Sequence, residues 1–215
     1  MSVSANLAYA QALSINDFSA YPSTTDLRTE WSSFGTANIG QPELSFSGVG
    51  DSEAAQLTLE WINGDNANLN YFSLSPQVQD LSSYSELNAF VSLNMDTGTG
   101  TDTILKLAIQ GGTNDSIWQT KSAFAVTPSV GNFEQVSFSL STNDMELVDN
   151  NSDTFEDTIS NISSIRLRFE NGNEGNSQLA LVDSLTAVPE PSSIALFIGL
   201  STMIFTFYFR RRKSR

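Results

Sequence analysis

The chain contains no cysteine and no histidine among its 215 residues. Without cysteine there is no disulfide and no thiol chemistry, so any exported domain must rest on a hydrophobic core alone. Without histidine the usual general base and the usual transition-metal ligand are both missing. Positive charge is scarce as well. Ten Lys and Arg stand against 24 Asp and Glu, and five of the ten lie in the last six residues. Through Ala187, five basic residues face 23 acidic ones, a net charge of −18. That potential repels nucleic acid and anionic lipid, so neither is an expected partner. No unit repeats at a fixed period, which argues against a solenoid or a propeller. The glycine segments "GTG" and "NGNEGN" fall in turns rather than between a strand and a helix, so they are not phosphate loops.

What is present is alternation. Ala55, Leu57, Leu59 and Trp61 alternate with polar residues; so do Leu87, Ala89, Val91, Leu93 and Met95, then Leu105, Leu107 and Ile109, then Val136, Phe138 and Leu140. Ile165, Leu167 and Phe169 follow, with Arg166 and Arg168 facing out. Period 2 is the mark of half-buried strands. Weaker strands are predicted around Leu44–Phe46, Tyr71–Leu74 and Ile117–Val126. Clusters such as "NGDNAN", "DTGTGTD" and "ENGNEGN" supply turn chemistry between them. Ser23 to Trp31 opens with a Ser-x-x-Asp capping pattern and predicts a short helix with Leu27 and Trp31 on one face; Asp80 to Leu87 predicts a further turn. The pattern predicts one all-β sandwich over residues 13–187.

Two carboxylates interrupt apolar registers. Leu13, Ile15 and Asp17 share one face of the first strand by spacing, and Leu179, Leu181, Asp183 and Leu185 share one face of the last. A buried carboxylate without a partner is costly, and few basic residues precede the tail to pair with one. Calcium, which takes oxygen ligands, could supply the counter-charge; equally, a bulge or strand end could turn both residues to water. The segment "DNNSDTFED" from Asp149 to Asp157 fails as a calcium loop, because Thr154 stands where Gly is needed and Ser160 where the bidentate Glu belongs, and it reads as a solvated loop. Trp61, Trp118, Tyr71 and Tyr84 could stack on sugar rings. Trp61, at the end of its apolar face, reads as core, which leaves Trp118 as the platform candidate for ligand binding. Acid pairs are abundant, yet no motif singles out a catalytic pair, so no catalytic residue is expected.

"SINDFSAY", "DLSSYSELNAFVSL" and "LALVDSLTAV" together resemble the galactose-binding-like jelly roll of many carbohydrate-binding modules, over about Leu13 to Val188. The resemblance implies a jelly-roll-type sandwich, a possible polysaccharide partner, and a structural Ca2+ near the first and last strands with Asp17 and Asp183 as ligands. Ser19 departs from the Glu such modules often carry there.

The tail differs from everything before it. Ile194 to Phe209, 16 residues without a charge, would span roughly 24 Å as a single transmembrane helix, which Ser192, Ser193 and a snorkelling Arg210 can extend. The cluster Arg210, Arg211, Arg212, Lys213 and Arg215 is expected on the cytoplasmic side, with all that precedes Val188 outside. Val188-Pro189-Glu190-Pro191, one short span and an arginine-rich end, over residues 188–215, resemble the PEP-CTERM sorting signal of Gram-negative bacteria and cyanobacteria. This resemblance implies recognition by an exosortase and delivery to the cell surface or matrix. The two prolines are expected to hold Glu190 extended and unpaired above the membrane. Residues 1–12 end in an A-x-A site, Ala10-Gln11-Ala12, but Met1 to Tyr9 has neither a basic nor an apolar stretch. They read as the remnant of a signal peptide that starts upstream, or as a short leader. The expected protein is non-enzymatic, exported and exopolysaccharide-associated, or a carbohydrate-binding module with a defined glycan site.

Overall fold

The computed structural model describes residues 11–35, 37–50, 52–61, 66–97, 103–127, 132–149, 151–170 and 177–190. In chain order the strands are β1 (Leu13–Asn16), β2 (Trp31–Gly35), β3 (Asn38–Ile39), β4 (Glu43–Ser45), β5 (Ala54–Glu60), β6 (Asn66–Tyr71) and β7 (Tyr84–Thr97). They continue as β8 (Thr103–Gly111), β9 (Ser116–Thr120), β10 (Phe124–Val126), β11 (Glu134–Ser139), β12 (Met145–Leu147), β13 (Ile162–Glu170) and β14 (Ser177–Pro189). Among the described residues two short α-helices, α1 (Thr24–Leu27) and α2 (Phe155–Ile159), and a 3-10 turn at Thr142–Asp144 lie between the strands.

The strands form two antiparallel sheets. The first runs β11-β7-β14-β5-β3, with β1 added to β14 and β4 to β5; the second runs β12-β9-β8-β13-β6-β2, with β10 added to β8. Each alternating register read from the sequence turns its apolar side inward. Leu57, Leu59, Leu87, Val91, Leu105, Leu107, Ile109, Val136, Phe138, Ile165, Leu167 and Phe169 are all buried in one core. Packing a sheet face on a sheet face is what such half-apolar strands require. The chain is an all-β sandwich.

Several expectations change. The capping pattern does start a helix, with the Ser23 hydroxyl accepting from Asp26 N, but α1 ends at Leu27 and Trp31 opens β2 instead. The Tyr71–Leu74 strand lies earlier, as β6, and the Ile117–Val126 stretch is two strands, β9 and β10. Val188 and Pro189 belong to β14, where Pro189 stands opposite Tyr84, and Glu190 N–H donates to Ser83 O at 3.2 Å. The first half of the Pro-Glu-Pro motif is therefore paired with the sandwich rather than free. Pro189 has no N–H to donate to the ladder, a loss that is tolerated at a strand end. Pro191, the apolar span and Arg210, Arg211, Arg212, Lys213 and Arg215 lie outside the described residues. Among the described residues no helix is long and apolar enough to cross a membrane.

Candidate ligand-binding face

The two interrupting carboxylates occupy different environments. β1 does pair with β14, Leu13 facing Ala187 and Asn16 facing Leu185, so the ends of the domain sequence meet. A register shift between Ser14 and Asn16 and a left-handed Phe18 (φ 61°) then turn the chain. Phe18 takes the buried place and Asp17 is left exposed, its Oδ1 accepting from Ser19 N and Ser19 Oγ. Asp17 is thus not on the face of Leu13 and Ile15. In β14 the register shifts between Asp183 and Thr186, with Ser184 left-handed at φ 50°. The bulge moves Leu185 to the core side with Ala180 and Val182, whereas Asp183 faces the other way.

Asp183 is nonetheless 1% exposed. Its Oδ2 accepts from Val49 N at 2.8 Å and from Ser52 Oγ at 2.7 Å, and its Oδ1 accepts from Ser184 Oγ at 2.8 Å. The loop between β4 and β5 covers it. A Cβ on Gly48 would come within 2.8 Å of Asp183 Oδ2, so only glycine lets the loop close this tightly. Protein donors thus satisfy the carboxylate that the sequence offered as a calcium ligand. Among the described residues no group of three or more acidic side chains is arranged to hold a metal.

The Asp149–Asp157 segment is not a solvated loop. Asp153 is buried and accepts from Asn114 N (2.7 Å), Asn114 Nδ2 (2.7 Å) and Ser116 Oγ (3.1 Å), while its own N–H donates to Ser116 Oγ. Burial pushes its carboxyl up, but the bonds from Asn114 and Ser116 outweigh that and hold it below the ordinary value. The hairpin between β8 and β9 presents those donors because Gly112 and Asp115 are left-handed, at φ 79° and 59°. Thr154 and Asp157 form the reciprocal capping box of α2, which places Phe155 against Trp118. The Trp118 ring meets Phe155 edge-on at 5.7 Å, and its Nε1 donates to Asp153 O at 3.3 Å. Opposite Ile109 in register, Trp118 closes the edge of the core rather than offering an open ring. Trp61 is buried, as expected, with Nε1 donating to Gln178 Oε1. Tyr71 stacks on Trp31 at 4.6 Å and is buried too.

An opening of about 490 Å3 lies at the strand ends, lined by Asn16, Asp17, Tyr21, Asp26, Glu30 and Tyr71 among others. Its polar groups are mutually paired. Tyr21 Oη accepts from Asn16 Nδ2 and Trp31 Nε1 and donates to Glu30 Oε2. Burial, then the Glu30 bond, raises the Tyr21 phenol well above its ordinary value.

The outer face of the second sheet is different. Register sets Ser32 opposite Asn70, Asn70 opposite Arg166, Arg166 opposite Ala108, Ala108 opposite Gln119 and Gln119 opposite Glu146. Six strands thus contribute one residue each to a single transverse row, about 24 Å long at the usual strand spacing. The neighbouring row is Phe34, Asn68, Arg168 and Lys106. Among the described residues six buried side-chain polar atoms lack a hydrogen-bond partner, and four of them lie here: Asn70 Oδ1, Gln119 Oε1, Arg166 Nε and Arg168 Nε. Arg168 Nε does touch Glu170 Oε1, an ion pair too poorly directed to be a hydrogen bond. Each such atom costs about 1–3 kcal/mol unless something completes it. The Arg166 guanidinium lies 5.2 Å over the Phe34 ring. Burial draws its pKa down from the ordinary value, and Asp115 and Asp149 oppose that. Sequence spacing could not show this row, since its members come from six separate strands.

No protein-family model and no curated protein matches the chain. Solved structures do. The chain is similar to the family 11 carbohydrate-binding module of a cellulosomal cellulase of Clostridium thermocellum, at 12% identity and a TM-score of 0.55, over 84% of this chain and 96% of that one. A structure of the family 11 module from the same organism, in complex with a β-1,3-1,4-mixed-linked tetrasaccharide, aligns at 13% identity and a TM-score of 0.55, covering 83% and 95%. A family 28 module described as specific for non-crystalline cellulose aligns at 14% identity and a TM-score of 0.51, covering 75% and 89%. At these identities the likeness concerns the fold alone, an all-β sandwich that matches the jelly rolls of these modules.

Proposed function

We propose that this protein is a polysaccharide-binding β-sandwich that uses the outer face of its second sheet. The observation that carries the reading is the row from Ser32 to Glu146, in which Asn70 Oδ1, Gln119 Oε1 and Arg166 Nε are buried and unpartnered. Sugar hydroxyls donate and accept at once, so a glycan lying across the strands could complete acceptors and donors alike. The side chains of Asn70 and Arg166 are half-buried on this sheet face and Gln119 is 5% exposed, so a glycan reaches these groups once the side chains rotate outward. The sandwich type and the glycans named for its structural neighbours favour the same class of ligand. Affinity electrophoresis of the full chain through gels containing β-glucan, mannan, agarose or an acidic polysaccharide tests the reading. Retardation by at least one, lost on replacing Gln119 and Asn70 by Leu, is expected. Unretarded migration in all of them would overturn it.

The domain acts without catalysis in this reading, and its tail delivers it. The PEP-CTERM-like segment from Val188 to Arg215 is the sorting signal for an exosortase, and it anchors the protein in the inner membrane before release to the surface or matrix. What supports this is the order of motif, apolar span and basic end. Glu190 is exposed where β14 ends, and a processing enzyme has to release its N–H from Ser83 O to grip the backbone there. Mass spectrometry of surface-extracted protein should lack peptides from Ile194–Arg215 when exosortase is active and recover them when it is deleted. Recovery in both strains would reduce the tail to a plain anchor.

A further inference from the structure

Five basic residues precede the tail in a domain with 23 acidic ones, so every cation has several carboxylates available. Four of the five are paired or hydrogen-bonded. Arg28 pairs with Glu43, Lys106 and Arg168 both with Glu170, and Lys121 Nζ donates to Asn143 O. Arg166 is the exception. It has no ion pair and no hydrogen bond among the described residues, its Nε is buried, and its only close partner is the π face of Phe34. Asp115 and Asp149 are near enough to be felt but engage other donors. Asp115 accepts from Ser163 Oγ and Gln110 Nε2, and Asp149 accepts from Ile117 N. Three of the five cations, Lys106, Arg166 and Arg168, gather on this one sheet face, where Glu170 pairs with Lys106 and Arg168 and Glu146 stands at the far end of the Arg166 row.

We propose, building on the polysaccharide reading above, that the glycan is acidic and that Arg166 binds the carboxylate of a uronic acid unit. A guanidinium fork and a carboxylate match in plane and spacing, so the pair is bidentate. Asn70 Oδ1, one strand away, and Gln119 Oε1, two strands away across the methyl of Ala108, are acceptors suited to the hydroxyls of the same ring or the next. A neutral sugar could complete the two amide oxygens and accept from Arg166 through a hydroxyl, but it would leave the charge of the guanidinium unbalanced. The domain's negative charge, which repels polyanions at long range, opposes this contact, so its selectivity rests on the short-range fork between Arg166 and the carboxylate rather than on the field of the domain.

The test measures full-chain binding to polygalacturonate, alginate and hyaluronan, to the carboxyl methyl esters of each, and to neutral β-glucan, mannan and agarose. Binding to at least one acidic glycan, at least tenfold tighter than to its ester, is expected. Arg166→Gln should bring the acid down to the level of the ester, and Arg166→Lys should recover only part of the difference, since an ammonium keeps the charge but not the fork. Equal binding of acid and ester by the unsubstituted chain would overturn the acidic assignment and leave polysaccharide binding standing. This comparison needs no variant to fold. An Arg166→Gln protein that melts like the parent and still prefers the acid would overturn the acidic assignment as well. Failure to bind any of the acidic or neutral polymers would overturn both readings.

Discussion

Replacing Asp183 by Ala should unlatch the loop between β4 and β5. The carboxylate is 1% exposed and holds that loop through Val49 N and Ser52 Oγ, at 2.8 and 2.7 Å. A hydrogen bond to a charged group contributes about 1.5–3 kcal/mol, so losing both costs about 3–6 kcal/mol. The third donor, Ser184 Oγ, is half-buried and can turn to water, so it adds little. For a domain of this size that is a fall in Tm on the order of 10 °C. Asp183→Asn separates geometry from charge. Its amide oxygen can still accept from Val49 and Ser52, and the Ser184 hydroxyl can reverse to accept from the new NH2, so the expected loss is only about 1–2 kcal/mol. Urea unfolding of the two variants beside the parent measures both values. An Ala variant within half a kcal/mol of the parent, or an Asn variant as damaged as the Ala one, would refute the latch. The same protein melted in calcium and in chelator should give one curve, because protein donors already occupy both oxygens. A calcium-dependent rise that Asp183→Asn abolishes would make an ion the true partner.

Other consequences are simpler to state. Leu59→Ala and Phe138→Ala, in side chains 0% and 4% exposed, should each cost about 2–5 kcal/mol by urea unfolding, and a loss under half a kcal/mol would mean the faces are misassigned. Tyr21→Phe removes the hydroxyl shared by Asn16, Trp31 and Glu30, and should cost about 1–3 kcal/mol because Trp31 Nε1 is left buried without an acceptor. Asp153 is held below its ordinary pKa of 3.8 when folded, so its contribution is present above that value and is lost as pH falls through the lower folded one. Acid titration of stability should therefore be shallower below pH 3.8 for Asp153→Asn than for the parent, and parallel curves would contradict the assignment.

Most of the sandwich is legible in the sequence because β5, β7, β8, β11 and β13 each bury one side, and a one-residue slip would expose every apolar side chain. β6 begins earlier than predicted because "NANLNY" looks like turn composition, although Ala67, Leu69 and Tyr71 alternate correctly. β14 misleads for another reason. Leu179 to Leu185 is apolar in both registers, and the left-handed Ser184 that chooses between them is set by tertiary packing. The same holds at Phe18, where a bulky left-handed residue is stable only because it is fully buried. The capping box of α2 is readable from Thr154 and Asp157, but it hides inside a segment that looks only acidic. At the ligand-binding face, the sequence shows that Arg166 and Arg168 point outward and that cations are rare. It does not show that Asn70, Ala108 and Gln119 line up beside Arg166, because that depends on the register of four separate strands.

The most direct measurement is an amide chemical-shift titration of the isotopically labelled full chain with a bound polysaccharide fragment. The largest shifts should fall on Ser32, Asn70, Arg166, Ala108 and Gln119, with smaller ones on Asn68, Arg168 and Lys106, and little change on the outer face of the first sheet around Asn88 and Gln56. Shifts centred on that first sheet, or at the strand-end opening beside Asp17 and Glu30, would place the ligand elsewhere and contradict the assignment of the second sheet as the binding face.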